Sequence, residues 1–126
     1  MKKSIRIRKI LGGAMRQSGY LAAAGIFALE NNTKRLADDH IRAKELGEKV
    51  FNMSFVKKVQ DIETNIIVFE IDKSVKKETI INAFNKLNIL FDWHSMGTNK
   101  IRIVTHINYT KEKHMYLLDS LETLKI

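Results

Sequence analysis

From Met15 to about Leu29 the chain is apolar nearly all round, through Tyr20, Leu21, Ala22, Ala23, Ala24, Ile26, Phe27 and Ala28. A helix of that composition has no polar side to turn to water, so other protein must cover it. Gly19, Ala22, Ala23 and Ile26 give it a face of mostly small residues, which lets another backbone approach closely. A chain of 126 residues is one domain's worth, and no segment of it is an obvious cover. The run also falls short of the roughly 20 apolar residues of a membrane span, so no membrane is expected.

Asn31-Asn32-Thr33 breaks this helix with residues suited to capping. Beyond it, Leu36, His40, Ala43, Leu46 and Val50 recur at spacings of three and four between charged residues, the pattern of an amphipathic surface helix. The two helices are expected to form a bent, nearly continuous rod. Phe55–Val59 reads as a short extended piece. Thr64–Ile71 is β-branched and apolar on both faces, as in a central strand. Ser74 is positioned to cap a helix with Ile80, Ala83, Phe84 and Leu87 on one stripe. Ile89–His94 and Lys100–His106 read as strands joined around Met96-Gly97-Thr98-Asn99. Thr110 is positioned to cap a last helix bearing Leu117, Leu118, Leu121 and Leu124. The fold class is α+β, a small three-stranded sheet with helices on one face. Residues 1–51 are expected to be a basic lead and connecting helices, and residues 52–126 a small α+β domain.

Strand side chains alternate between faces. Ile101, Ile103 and Thr105 should face the helices, leaving Arg102, Val104 and His106 on the bare side of the sheet. The planar Arg102 guanidinium could fork onto a carboxylate or simply be solvated. His106 is expected to support it by hydrogen bonding. His40 reads as a packed helix residue, and Asp38 and Asp39 as solvated helix acids. His94 and His114 have no partner at metal-ligand spacing, so no metal site is expected.

Charge narrows the function classes. Lys and Arg number 22 against 14 Asp and Glu, a formal net charge of +8, and five of the cations lie at Lys2, Lys3, Arg6, Arg8 and Lys9. The remainder is about +3. A small module binding RNA or another polyanion is the alternative reading. Against it, the aromatics form no stacking platform interleaved with basic residues. Cysteine is absent, which excludes disulfides, thiolate metal sites and a cysteine nucleophile and fits a reducing compartment. The basic start lacks a following apolar run with a cleavage site, so a cytoplasmic location is expected.

Four stretches, in order, resemble the low-specificity L-threonine aldolases, pyridoxal-phosphate enzymes of the β-eliminating lyase group. They are Arg8-Lys9-Ile10-Leu11-Gly12-Gly13-Ala14-Met15-Arg16-Gln17-Ser18-Gly19 running on through Gly25, Arg35-Leu36-Ala37-Asp38-Asp39-His40, Thr64-Asn65-Ile66-Ile67, and Ile101-Arg102-Ile103-Val104-Thr105-His106. Ala14 departs from the family's third glycine. The resemblance covers only the C-terminal portion of the family's length, within a fold-type I pyridoxal-phosphate enzyme.

The resemblance implies retro-aldol cleavage of L-threonine or L-allo-threonine to glycine and acetaldehyde. It implies that Arg102 holds the substrate carboxylate. Lys9, Arg16, Gly12 and Gly13 would lie near the cofactor, with a solvated lysine, a structural ion pair and a plain turn at the helix entry as the alternatives. The family's Schiff-base lysine would lie before Met1. The chain is therefore expected to bind no pyridoxal 5'-phosphate alone, to be inactive alone, and to work with a missing N-terminal domain or split-gene partner in a homo-oligomer. The uncovered helix of the opening paragraph would pack on that domain.

Overall fold

The computed structural model of the chain describes residues 2–90, 99–124 and 126. They form two compact units, residues 1–34 and 35–126. The first holds helices α1 (Lys2–Ile10) and α2 (Gly19–Asn31). The second holds α3 (Leu36–Phe51), β1 (Val56–Val59), β2 (Ile66–Ile71), α4 (Lys77–Lys86), β3 (Lys100–Val104) and α5 (Lys111–Thr123).

In the first unit, α1 ends in a pair of reverse bonds. The Gly13 N–H donates to the Arg8 carbonyl at 2.8 Å and the Gly12 N–H to the Lys9 carbonyl at 3.2 Å. Gly12 has φ +80°, and a Cβ on Gly13 would lie 2.6 Å from Arg8 Cγ. This is the left-handed close of a helix, so the glycine pair marks a helix exit and not the expected entry. α2 has no buried residue. At its end the Asn31 Nδ2 donates to the Phe27 carbonyl at 2.8 Å and the Thr33 hydroxyl to the Leu29 carbonyl at 3.0 Å. The polar break thus satisfies carbonyls at the close of α2. α3, by contrast, starts without a side-chain cap.

The second unit is the expected α+β layer. Its sheet is antiparallel in the order β1-β2-β3, with β2 central as expected but buried on one face only. Ile67, Phe69 and Ile71 turn one way and are buried. They meet Ala43, Leu46 and Val50 of α3, Ile80 and Phe84 of α4, Ile101 of β3 and Leu121 of α5 in one core. Each large side chain removed from water there contributes about 1.5–3 kcal/mol. Gly47 of α3 passes so close to Ile62 that a Cβ would lie 2.0 Å from its Cδ1. The boundary between the units falls ahead of α3, because α3 buries its stripe against this sheet.

Two local expectations change. Of the strand expected at Ile89–His94, only Ile89 and Leu90 are described, and they belong to no strand, while residues 91–98, with His94 and the turn expected at Met96-Gly97-Thr98, lie outside the described residues. Asn88 has φ +55°. The Ile89 N–H donates to the Phe84 carbonyl and the Asn88 N–H to the Asn85 carbonyl, each at 3.0 Å. The Ile89 N–H is therefore committed to closing α4, and Val56–Val59 lies at one edge of the described sheet. Ser74 does not cap α4 either. Its hydroxyl and its N–H both donate to Asp72 Oδ1, at 2.6 and 2.8 Å, forming a turn before the helix. Thr110 does cap α5, accepting from the Lys113 N–H at 3.4 Å.

The two units should respond differently to truncation. Leu46→Ala should cost about 2–5 kcal/mol in urea unfolding of the second unit. Leu21→Ala, at an exposed position of α2, should change it by less than about 0.5 kcal/mol.

Candidate functional site

With its inner side committed to the core, the sheet leaves one face bare. On β3 this face carries Arg102 and Val104, both exposed, while Ile101 and Thr105 are buried. Arg102 lies opposite Val68 of β2. The next row pairs Lys58 with Glu70 and Glu70 with Lys100. Lys100 Nζ lies 3.4 Å from Glu70 Oε1, so this row's carboxylate is engaged. The Arg102 guanidinium meets no carboxylate among the described residues. The face therefore holds three cations around one acid, with a forked donor open to a ligand. A planar carboxylate matches that fork with two parallel N–H···O bonds.

Three residues past Arg102 the strand end is tied on two sides. The Thr105 N–H donates to the Asn65 carbonyl at 3.0 Å. The Asn65 side-chain amide returns a bond to the Thr105 carbonyl at 2.7 Å. The Thr105 hydroxyl donates to the Asp39 backbone carbonyl at 2.8 Å. The Asp39 carboxylate in turn accepts from the Arg35 guanidinium at 2.6 Å. Asp39 is 1% exposed, which corrects the expectation of a solvated acid. The inward stripe of α3 enters through Asp39, leaving Leu36 exposed, and the half-buried Arg35 supplies the charge that makes this burial tolerable. The i,i+4 spacing of Arg35 and Asp39 was the available signal.

His106 does not reach Arg102 among the described contacts. Its Nδ1 accepts from the Asn108 N–H at 3.2 Å and its carbonyl from the Tyr109 N–H at 2.7 Å, shaping the turn into α5. A second cluster went unread in the sequence. His114 is 3% exposed, with Nε2 2.7 Å from Glu45 Oε2 and Nδ1 3.0 Å from the Tyr109 hydroxyl. The ring thus has a carboxylate on one nitrogen and a hydroxyl, able to donate or accept, on the other. Arg42 donates to the Tyr109 carbonyl at 2.8 Å. Burial pushes the Tyr109 hydroxyl up to about 12, with Glu45 adding to the rise and Arg42 opposing it. The cluster joins α3, α5 and the loop between β3 and α5. His114 falls on the α5 stripe with Leu117, Leu118 and Leu121, which was its signal in the sequence.

Lys9, Gly12, Gly13 and Arg16 all lie in the first unit and are exposed. The Gly12 and Gly13 amides are spent on the close of α1. A helix C-terminus also presents negative partial charge, so this backbone is no phosphate cradle. Lys9 and Arg16 keep exposed cationic side chains. The described lysines are exposed or half-buried. Among the described residues no group of three or more His, Asp or Glu could hold a metal ion. No described helix is long and apolar enough to cross a membrane.

The beta-eliminating lyase family model matches residues 1–74. The low specificity L-threonine aldolase of Escherichia coli (strain K12) is 35% identical over 114 residues, covering 90% of this chain and 32% of that protein. The probable low-specificity L-threonine aldolase 2 of Arabidopsis thaliana is 34% identical over 121 residues, covering 94% of this chain and 34% of that protein. An alanine racemase of Cochliobolus carbonum is 34% identical over 96 residues, covering 69% of this chain and 24% of that protein. The chain spans about a third of the length of the curated threonine aldolases it matches.

Tyr109 gives the second cluster a pH signature. Its neutral form is favoured in the fold, so its contribution to stability is complete below the ordinary tyrosine value of 10.0 and is lost as pH rises toward about 12. In an alkaline titration of tyrosinate absorbance, subtracting a Tyr109→Phe variant should leave a component that ionises last, together with alkaline unfolding.

Proposed function

The chain belongs to the beta-eliminating lyase family, and from that premise we propose that it is the substrate-holding part of a threonine-aldolase-like lyase. The observation that carries this is Arg102, a guanidinium without a carboxylate partner among the described residues, on the bare face of the sheet within the motif Ile101–His106. The named relatives differ in chemistry, one set cleaving threonine and one racemising alanine. Both substrates are α-amino acids, and both offer a carboxylate to such an arginine.

Arg102 binds that carboxylate through its two outward N–H groups. The strand holds the guanidinium in one place, so the amino acid docks in one orientation and a large part of the entropy of alignment is met before reaction. The adjacent Lys58 and Lys100 raise the local potential for an anion, and the Glu70–Lys100 pair keeps Glu70 from closing onto Arg102. The family works with pyridoxal 5'-phosphate, which draws electron density from the amino acid so that a bond at its α-carbon can break. The lysine that anchors this group and the cradle for its phosphate come from the remaining length of the relatives.

The chain is therefore inactive by itself and works with a polypeptide carrying that remaining length, in the cytoplasm, as a homo-oligomer. Helix α2 supports this, because Tyr20 (83% exposed), Phe27 and Leu29 lie open along an apolar helix that requires a cover.

The test is a graft. The C-terminal third of the E. coli relative is replaced by this chain, and glycine formation from L-threonine is measured. The graft should cleave threonine. Arg102→Ala should then raise KM about 10- to 100-fold, the loss of a charge-assisted bond pair, with Arg102→Lys in between. A KM unchanged in Arg102→Ala would refute the carboxylate role.

A further inference from the structure

Three of the four stretches that resemble the aldolases meet in space within the second unit. Arg35 and Asp39 come from one, Asn65 from the next, and Thr105 from the stretch that also carries Arg102. Their bonds form one chain. Arg35 donates to the Asp39 carboxylate, Thr105 donates to the Asp39 carbonyl, and Thr105 and Asn65 exchange bonds in both directions. The hydroxyl of Thr105 also lies 3.4 Å from the Asn65 carbonyl. Thr105 is 1% exposed, and each of its polar groups is engaged.

We propose that Thr105 is a positioning residue for Arg102, tying the end of β3 to α3 and to the start of β2 so that the guanidinium is held at a fixed register on the bare face. This rests on Arg102 being the carboxylate holder.

The physical need is specific. Among the described residues β3 pairs with β2 alone. A one-residue slip of β3 against β2 would turn Arg102 into the core and expose Ile101 and Ile103. Hydrophobic burial opposes that slip but leaves the strand free to fray from its end. The side-chain bonds at Thr105 act at that end, three residues from Arg102. The Asp39 carbonyl is a fixed acceptor because its helix turn is anchored by the ion pair of the half-buried Arg35 with the buried Asp39 carboxylate. Register thus passes from α3 to Thr105 and along the strand to Arg102, without any of these groups touching the ligand.

The ladder identifies which amides report on it. Thr105 donates to Asn65, so by alternation the Ile103 and Ile101 amides also point to β2, while Arg102 and Val104 point away. In the chain by itself, Thr105→Val should speed hydrogen exchange at Ile103 and at position 105 about 3- to 10-fold, matching one lost hydrogen bond. Core amides of α3 should be unchanged, and Thr105→Ser should restore protection. Asn65→Ala, which removes only the returning amide, should show the same local pattern if Thr105→Val does not fold. In the aldolase graft, Thr105→Val should raise KM by a similar factor with kcat nearly constant, and Thr105→Ser should recover it. A merely structural residue would lower the folded fraction without this split. Unchanged exchange in both variants, or an unchanged KM where Arg102→Ala raises it, overturns the positioning role. If Arg102→Ala itself leaves KM unchanged, the carboxylate reading fails and the positioning role falls with it.

Discussion

Everything in the second unit depends on the packing of one side of β2. Ile67, Phe69 and Ile71 lie against Ala43, Leu46 and Val50 of α3, and burial of these side chains decides which way every neighbouring strand residue faces. Because side chains alternate, committing Ile101 and Thr105 to that core leaves Arg102 on the opposite side. The site is thus a by-product of the core. A guanidinium that would be costly to bury unpaired is kept at the surface by the same alternation that buries its neighbours.

The parts of the fold legible in the sequence were those set by periodicity. The central place of β2 was legible from its β-branched, apolar run, although only the Ile67, Phe69 and Ile71 face is buried, and the inner and outer sets of β3 followed from strict alternation. The cap at Thr110 followed from local side-chain chemistry. What was not legible depended on which of two partners a group takes. Ser74 had cap chemistry but Asp72 two residues earlier captured it. Ile89 had strand composition but its N–H closes α4 instead. Asp39 read as a solvated acid although its partner Arg35 stands only four residues away, and His114 was given no role until Tyr109 and, from α3, Glu45 were brought to it. A buried polar side chain is readable only with its partner in view.

The first unit shows the opposite condition. Its helices close with well-formed terminal bonds, yet α2 carries an apolar surface and no buried residue. Local rules are satisfied there while the tertiary one is not. The chain spans about a third of the length of its curated relatives, and the proposed reading places the cover of α2 in that remaining length. The division of labour in the account follows from it. In the proposed division, this chain would supply an arginine held by the sheet, and the remaining length would supply the enclosed lysine and the phosphate cradle.

The most direct test of that division is to incubate the purified chain with pyridoxal 5'-phosphate, reduce it with borohydride and map the modified lysines by mass. The account predicts weak labelling spread over exposed lysines, with no single one dominant and no glycine released from L-threonine. Stoichiometric labelling of one lysine, with glycine formed from threonine, would contradict it and show that the chain anchors the cofactor itself.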